Sequence, residues 1–312
     1  MGDTRLIRWR GRSRARSKGA VVTLGNFDGV HGAHQFMLRQ VVKRARAQDL
    51  EAVVVTFEPT PLEYFQGDAA PARLMTLIEK HEAIAALGLD AHVSVRFDQS
   101  MATMSAETFA SLLLHKTLNA REIIAGHDFH FGRGREGSLD TLRACGARDG
   151  YAVDEVAARY LGDLRISSTA VRDALAQSDF DQVGQLLGRR YRMSGRVVRG
   201  EQLGRTLGFA TANLRPGRRV LPIEGVFAVT VSDAHELDQH PAVASLGTRP
   251  TVDGEGHLLE VHLFDFQGNL YGRRLHVDFV AKLRDEAKFS SLDAMTEQMH
   301  RDALEARALL TA

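Results

Sequence analysis

His31 and His34 stand three residues apart, just after the glycine-containing turn Gly25-Asn26-Phe27-Asp28-Gly29 and the apolar run Val21-Val22-Thr23-Leu24. Glycines at 25 and 29 let backbone come close to a phosphate. A helix opening there offers N–H groups and the positive end of its dipole. Imidazoles one helical turn apart share a face. So placed, they can donate hydrogen bonds to a nucleoside triphosphate and stabilise the charge that builds up in transfer at the α-phosphate. His-x-x-His is also a metal-ligand spacing, and His127 and His130 repeat it, so four histidines could hold zinc. The glycine turn, and the lack of a carboxylate–histidine framework around it, favour phosphate over metal. For His127 and His130 an ordinary surface role is an equal alternative.

Other residues have chemistry at useful spacing. Ser167, Ser168 and Thr169 run together between Arg165 and Arg172. One hydroxyl there would cap a helix; three beside two arginines suit the β- and γ-phosphates of a nucleotide. Thr211 and Asn213 put two oxygen ligands on one face of an extended segment, and oxygen is what magnesium takes alongside water and phosphate. The glycine-rich stretch 204–213 lacks the Gly-Lys-Ser/Thr ending of a Walker motif. Glu260, taken alone, reads as a solvated strand carboxylate. Gly132, Gly134 and Gly137 spell Gly-x-Gly-x-x-Gly, but Arg133 and Arg135 and the distance from the preceding strand point to an exposed basic loop. A dinucleotide fingerprint needs a tight strand–turn–helix instead; a flexible loop over a flavin or phosphate stays open.

The elements that must hold these groups fall into two patterns. Between residues 20 and 187, valine-rich runs at 20–24 and 52–57 alternate with helical spacing at Leu38, Val41, Val42 and Ala45, then at Leu74, Leu77, Ile78, Ile84 and Ala85. Strands are expected at 92–95 and 122–125, and a helix capped by Ser105 carries Phe109, Leu112 and Leu113. The order βαβα predicts a parallel sheet with helices on both faces and a ligand beyond the carboxyl ends of its strands. From about residue 190, short strands at 192–198, 226–232, 258–264 and 275–280 predict an antiparallel barrel or sandwich. A terminal helix fits Leu292, Met295, Met299 and Ala303, with Ser290 and Asp293 as its capping box. The boundary falls near residues 188–191, giving domains 1–187 and 188–312.

Composition sets the outer limits. The 312 residues are 44% hydrophobic with a net charge of +1, normal for two globular domains and giving no drive toward nucleic acid or anionic membrane. No apolar run is long enough to span a bilayer. Cys145 is the only cysteine, so no internal disulfide forms and a reducing, cytoplasmic setting fits best. The basic run at 5–18 reads as a solvated surface segment, with the first strand starting near Ala20. Small-molecule partners are expected, with no nucleic acid, no membrane, and a monomer or weak homo-oligomer.

The motif Gly25-Asn26-Phe27-Asp28-Gly29-Val30-His31-Gly32-Ala33-His34-Gln35 resembles the first motif of the bacterial bifunctional riboflavin kinase/FAD synthetase family. The likeness continues through Thr56-Phe57-Glu58-Pro59-Thr60-Pro61, Gly126-His127-Asp128-Phe129-His130-Phe131-Gly132 and Arg165 to Arg172. It implies a Rossmann-like nucleotidyltransferase domain. His31 and His34 would be catalytic there. ATP would be held by Gly25, Asn26, Phe27, Asp28, Gly29, Arg165, Ser167, Ser168, Thr169 and Arg172, with Pro59, Asp128 and Phe129 at the flavin or nucleotide. The family usually has glycine at position 33, where this chain has alanine. The second half is similar to riboflavin kinase at residues 208–213, Gly225-Val226-Phe227, Gly247-Thr248-Arg249-Pro250-Thr251, Leu259-Glu260-Val261-His262 and Leu283-Arg284-Asp285-Glu286. That implies an ATP site at Gly204, Gly208, Thr211 and Asn213, magnesium on Thr211 and Asn213, and Glu260 as the base. Ala210 replaces a family proline, which should loosen its loop, and Ser245 a common asparagine. The implied reactions are ATP-dependent phosphorylation of riboflavin to FMN, then transfer of AMP from ATP to FMN, giving FAD. Two alternatives remain: an adenylyltransferase for another phosphate acceptor, or a flavin carrier or regulator with weakened activity.

Overall fold

The computed structural model describes residues 4–11, 18–200, 209–251 and 254–311. The chain divides into two compact units, Met1–Pro71 with Leu77–Ser168, and Ala72–Thr76 with Thr169–Ala312.

The first unit is built on a six-stranded, all-parallel sheet in the order β1-β4-β3-β2-β5-β6. The strands are β1 (Arg5–Trp9), β2 (Ala20–Leu24), β3 (Glu51–Glu58), β4 (Ala91–Arg96), β5 (Ala120–Gly126) and β6 (Ala152–Val156). Between them lie α1 (Gly32–Ala47), α2 (Pro61–Gln66), α3 (Leu77–Ala85), α4 (Gln99–Ala102), α5 (Ala106–Phe109), which runs on as a π-helix over Ala110–Thr117, and α6 (Leu139–Asp149). Alternate residues of β2 face opposite ways. Ala20, Val22 and Leu24 join the core with Phe109, Leu113 and Leu142, while Thr23 Oγ1 lies 3.1 Å from Met37 Sδ on α1. Helices therefore cover both faces, and β2 is wholly buried. Ser105 caps α5, accepting the Thr108 N–H at 3.2 Å.

The first strand is not at Ala20: Arg5–Trp9 already forms β1, in register with β4. Arginines interrupt its apolar pattern because it is an edge strand, where charge is tolerated and discourages further pairing. Arg5 forms an ion pair with Glu51, and Trp9 is buried. Arg12, Arg14 and Arg16 lie outside the described residues. The lone hairpin β7 (Tyr160–Leu161) and β8 (Leu164–Arg165) precedes α7 (Ser168–Ala176).

The second unit contains a closed antiparallel barrel in the order β10-β13-β12-β11-β14-β9. Its strands are β9 (Tyr191–Val198), β10 (Ala212–Leu214), β11 (Gly225–Ser232), β12 (His240–Thr251), β13 (Gly254–Leu263) and β14 (Arg274–Arg284). β12 hides in the sequence because prolines stand at 241 and 250. Helix α8 (Phe180–Leu187) packs Phe180 on Phe227 and Phe279, with ring centroids 6.0 and 6.4 Å away. The short segment 72–76 is tied to the barrel: Tyr191 Oη and Arg218 Nη2 both donate to the Leu74 carbonyl, at 3.0 and 2.8 Å. The last helix, α9 (Leu292–Thr311), buries Ala306 against Ala228 and Phe264. Arg284 grips the buried Asp302 of α9 through Nε and Nη2 at 3.0 and 2.8 Å. The cap of α9 is Ser291, whose Oγ accepts the Ala294 N–H at 3.2 Å, one residue later than the expected Ser290.

Candidate functional sites

In the first unit the chain leaves β2 toward β3 and β4 on one side, then returns to β5 and β6 on the other. The crevice between the carboxyl ends of β2 and β5 is therefore the topological switch point, where sheets of this kind bind ligands. The turn after β2 and the loop after β5 both lie there, and they carry the residues singled out in the sequence.

The turn after β2 is strained and tightly held. Phe27 and Val30 have φ of 48° and 42°, a left-handed conformation that costs a β-branched residue most, and Gly29 has φ 79°. Three carbonyls of the turn accept side-chain donors: Asn26 from Lys80 Nζ at 2.6 Å, Asp28 from Ser168 Oγ at 2.8 Å, and Val30 from Gln35 Nε2 at 3.0 Å. Phe27 is fully buried beneath and packs its ring 4.7 Å from that of His34.

His31 is the N-cap of α1: its Nδ1 accepts the backbone N–H of His34 at 3.4 Å. In the neutral ring the proton is then on Nε2, by assignment from that bond. The His34 ring stacks on His31, centroids 3.6 Å apart and 17° from parallel. Burial first, then the charges of His31 and Lys80, hold His34 well below the usual histidine range, so it is neutral at ordinary pH. Its Nδ1 is interior and has no partner among the described residues, which leaves Nε2 as the atom a ligand can use. Among the described residues no three His, Cys, Asp or Glu side chains gather as a metal-ligand group.

Arg165 and Asp128 are brought together, Nη2 to Oδ2, at 2.6 Å. Desolvation raises the Asp128 pKa, but the Arg165 hydrogen bond and charge, with His127, outweigh it and the carboxyl sits below its ordinary value. His130 Nδ1 is 3.0 Å from the Asp128 carbonyl. Phe129 stacks on Phe131 with centroids 5.5 Å apart. An aromatic wall lies beside it that the sequence motifs did not reveal. Phe57, Tyr64, Phe65, Phe97 and Phe109 are linked through ring contacts of 5.1 to 6.2 Å, and Phe65 is exposed. Pro59 follows a cis peptide at the end of β3, and Thr60 and Glu63 form the capping box of α2.

The Gly132–Gly137 loop is pinned. Phe131 bridges Gly137, Glu136 Oε1 accepts the Ala106 N–H at 3.1 Å, and a Cβ on Gly132 would meet Ala106 N at 2.7 Å. Gly132 and Gly137 serve this close approach to α5, not a dinucleotide turn.

Thr169 and Arg172 fall in the second unit, where Arg172 Nε donates to the Ala72 carbonyl at 2.6 Å. On the barrel, Asn213 pairs directly with Glu260, and Glu260 with Ser245, so three polar residues cross three adjacent strands on one face. Ser245 Oγ donates to Glu286 Oε1 at 3.1 Å, and the Glu286 carboxylate lies where a Cβ on Gly247 would be, 2.3 Å from Oε2. In the sequence Glu286 stands out only as the end of the segment Leu283-Arg284-Asp285-Glu286. Thr211 and Asn213 offer oxygens two residues apart beside Glu260, a hard donor set that fits magnesium. Beside Ala210, His262 Nδ1 lies 2.9 Å from the Ala210 carbonyl and Phe209 packs on His262 and His300. Gly204 and Gly208 lie outside the described residues.

Comparison with known proteins matches both halves. Residues 13–170 fit the FAD synthetase family model and residues 187–310 the riboflavin kinase model. Proteins named bifunctional riboflavin kinase/FMN adenylyltransferase are similar along nearly their whole length. The one from Escherichia coli K12 is 45% identical over 95% of this chain and 94% of its own. That from Pseudomonas fluorescens is 42% identical over 97% of each, and that from Haemophilus influenzae 41% over 98% and 99%. A solved chain from Streptococcus pneumoniae named a macrolide-efflux protein shares the fold, with a TM-score of 0.80 and 30% identity over 97% of this chain and 98% of that one. Among the described residues no helix is long and apolar enough to cross a membrane. The matches favour neither a bare flavin carrier nor a transferase for another acceptor. The chain belongs to the bifunctional riboflavin kinase/FMN adenylyltransferase family, whose members make FMN from riboflavin and FAD from FMN.

Proposed function

We propose that the switch-point crevice of the first unit performs adenylyl transfer and that the Asn213–Glu260 face of the barrel performs riboflavin phosphorylation, with functional domains 1–187 and 188–312. The observation that carries the first assignment is the stacked His31–His34 pair at the N-terminus of α1, with His34 held neutral, at the crevice that also holds Asp128 and Arg165.

In the barrel, Glu260 takes the proton from the riboflavin 5′-hydroxyl as its oxygen attacks the γ-phosphorus of ATP and the bond to the β-phosphate oxygen breaks, releasing ADP. Asn213, beside Glu260 in register, and Thr211 would hold magnesium, which when bound would neutralise charge on the phosphate oxygens. Glu286 orients Ser245 next to that base. In the first unit, an FMN phosphate oxygen attacks the α-phosphorus of a second ATP and pyrophosphate leaves. His31 and His34 donate hydrogen bonds from Nε2 to the oxygens that gain charge. The turn 25–29 cradles the phosphates through its backbone. Arg165, aligned by Asp128, supplies a fixed cation. Ser167 and Ser168 act as phosphate contacts on the strength of the motif. The aromatic wall that includes Phe65, with Phe129 and Pro59, seats the flavin ring by stacking. The buried single thiol Cys145 suits a reducing cytoplasm.

Incubation with riboflavin, ATP and magnesium, followed by chromatography, tests the reading. Sequential appearance of FMN and then FAD supports it. FMN that never proceeds to FAD would remove the first assignment and leave the second.

A further inference from the structure

Lys80 is 2% exposed, on α3, and is used by none of the motifs above. Its ammonium donates to the Asn26 carbonyl, the first of the three carbonyls clamped in the turn after β2. Burying an ammonium group is costly, whereas Ser168 and Gln35 do the same job on Asp28 and Val30 with neutral groups. The turn needs holding, because Phe27 and Val30 are in a left-handed conformation that neither prefers. Lys80 sits at its entry, immediately before the strained residues.

We propose that Lys80 is a positioning residue for adenylyl transfer: from beneath the turn it fixes the Asn26 carbonyl and so sets the backbone that presents N–H groups, His31 and His34 to the nucleotide phosphates. The inference rests on the reading of this turn as the nucleotide site. The charge of Lys80 also reaches the catalytic pair. Together with burial and His31 it keeps His34 neutral, and together with burial and His81 it brings the neighbouring His92 to about 3. A neutral donor at position 80 would hold the carbonyl without that field.

The test compares Lys80→Met, Lys80→Arg and His34→Ala in the full chain. FMN adenylylation is measured against ATP and against FMN. Riboflavin phosphorylation by the same samples reports the second unit, and fluorescence of Trp9, the only tryptophan, reports folding of the first. Lys80→Met is expected to lower kcat for FAD formation at least tenfold and to raise KM for ATP, with KM for FMN within twofold of wild type. Lys80→Arg, which keeps the charge but moves the donor, falls between the two. Wild-type kcat and KM for ATP in Lys80→Met would overturn the proposal. So would a loss that tracks Trp9 unfolding with KM for ATP unchanged, since that is only a smaller folded fraction. If Lys80→Met does not fold, Lys80→Arg decides: a KM for ATP raised threefold or more at native Trp9 fluorescence supports the proposal, and a wild-type KM defeats it. Full FAD formation by His34→Ala would instead refute the reading of the turn itself.

Discussion

Acid should weaken the first unit through His92, and the size of the effect follows from its surroundings. The ring is fully buried on β4, with Nε2 2.7 Å from Thr56 Oγ1 and Nδ1 without a partner among the described residues. Burial first, then the charges of Lys80 and His81, lower its pKa from 6.5 to about 3. The unfolded chain accepts a proton below pH 6.5 that the folded one refuses. The stability is therefore complete above the unfolded value and drains away as pH falls from 6.5 toward 3. Between pH 7.5 and 5.0 a single such histidine removes about 2 kcal/mol, at roughly 1.4 kcal/mol per pH unit. Urea unfolding at both pH values, followed by Trp9 fluorescence, measures the loss in wild type and in His92→Gln, whose amide can still bond Thr56. The variant should lose about 2 kcal/mol less than wild type. Equal losses would show that His92 is not held neutral, and would undo the argument that Lys80 charges this part of the interior.

Other perturbations separate chemistry from stability. The Arg165–Asp128 pair is half exposed, so Arg165→Ala should change the unfolding free energy by less than about 1 kcal/mol, while stopped-time assays show FAD formation from FMN down at least tenfold. Phe65 is exposed on α2, so Phe65→Ala should leave the melting temperature almost unchanged but raise KM for FMN severalfold; an unchanged KM would remove the aromatic wall from the flavin site. Gly225 has φ 130°, and a Cβ there would lie 2.6 Å from the Arg284 carbonyl. Gly225→Ala should cost the barrel about 1–3 kcal/mol by calorimetry, with riboflavin phosphorylation lost at lower temperature than in wild type.

The two architectures were legible where burial imposes a pattern. The valine runs of β2 and β3 and the barrel strands β9, β11, β13 and β14 announce themselves because both faces, or one face at period two, must be apolar. Strands β1 and β6 did not, since edge strands tolerate Arg5, Arg8, Asp154 and Glu155, and β12 was masked by its prolines. The chemistry of the turn after β2 was legible from His31 and His34 because glycine, histidine and spacing carry it. What holds the turn was not. Lys80 comes from a helix more than fifty residues on, in a stretch that reads as an amphipathic surface, and only the fold shows that its side chain is buried. The aromatic wall is equally non-local: Phe57 of β3, Phe65 of α2 and Phe97 just after β4 meet only at the carboxyl ends of those two strands. Ser245 and Glu286 likewise become neighbours only when β12 and the end of β14 enter one barrel.

The central claim is that two chemistries are carried by two separate sets of side chains. It is tested most directly by a crossed pair of variants, His31→Ala with His34→Ala, and Glu260→Ala, each assayed with riboflavin plus ATP and with FMN plus ATP. The histidine variant should make FMN at the wild-type rate and no FAD from either substrate. The Glu260 variant should convert FMN to FAD normally and leave riboflavin untouched. Appreciable FAD from the histidine variant, or FMN from the Glu260 variant, would contradict the account.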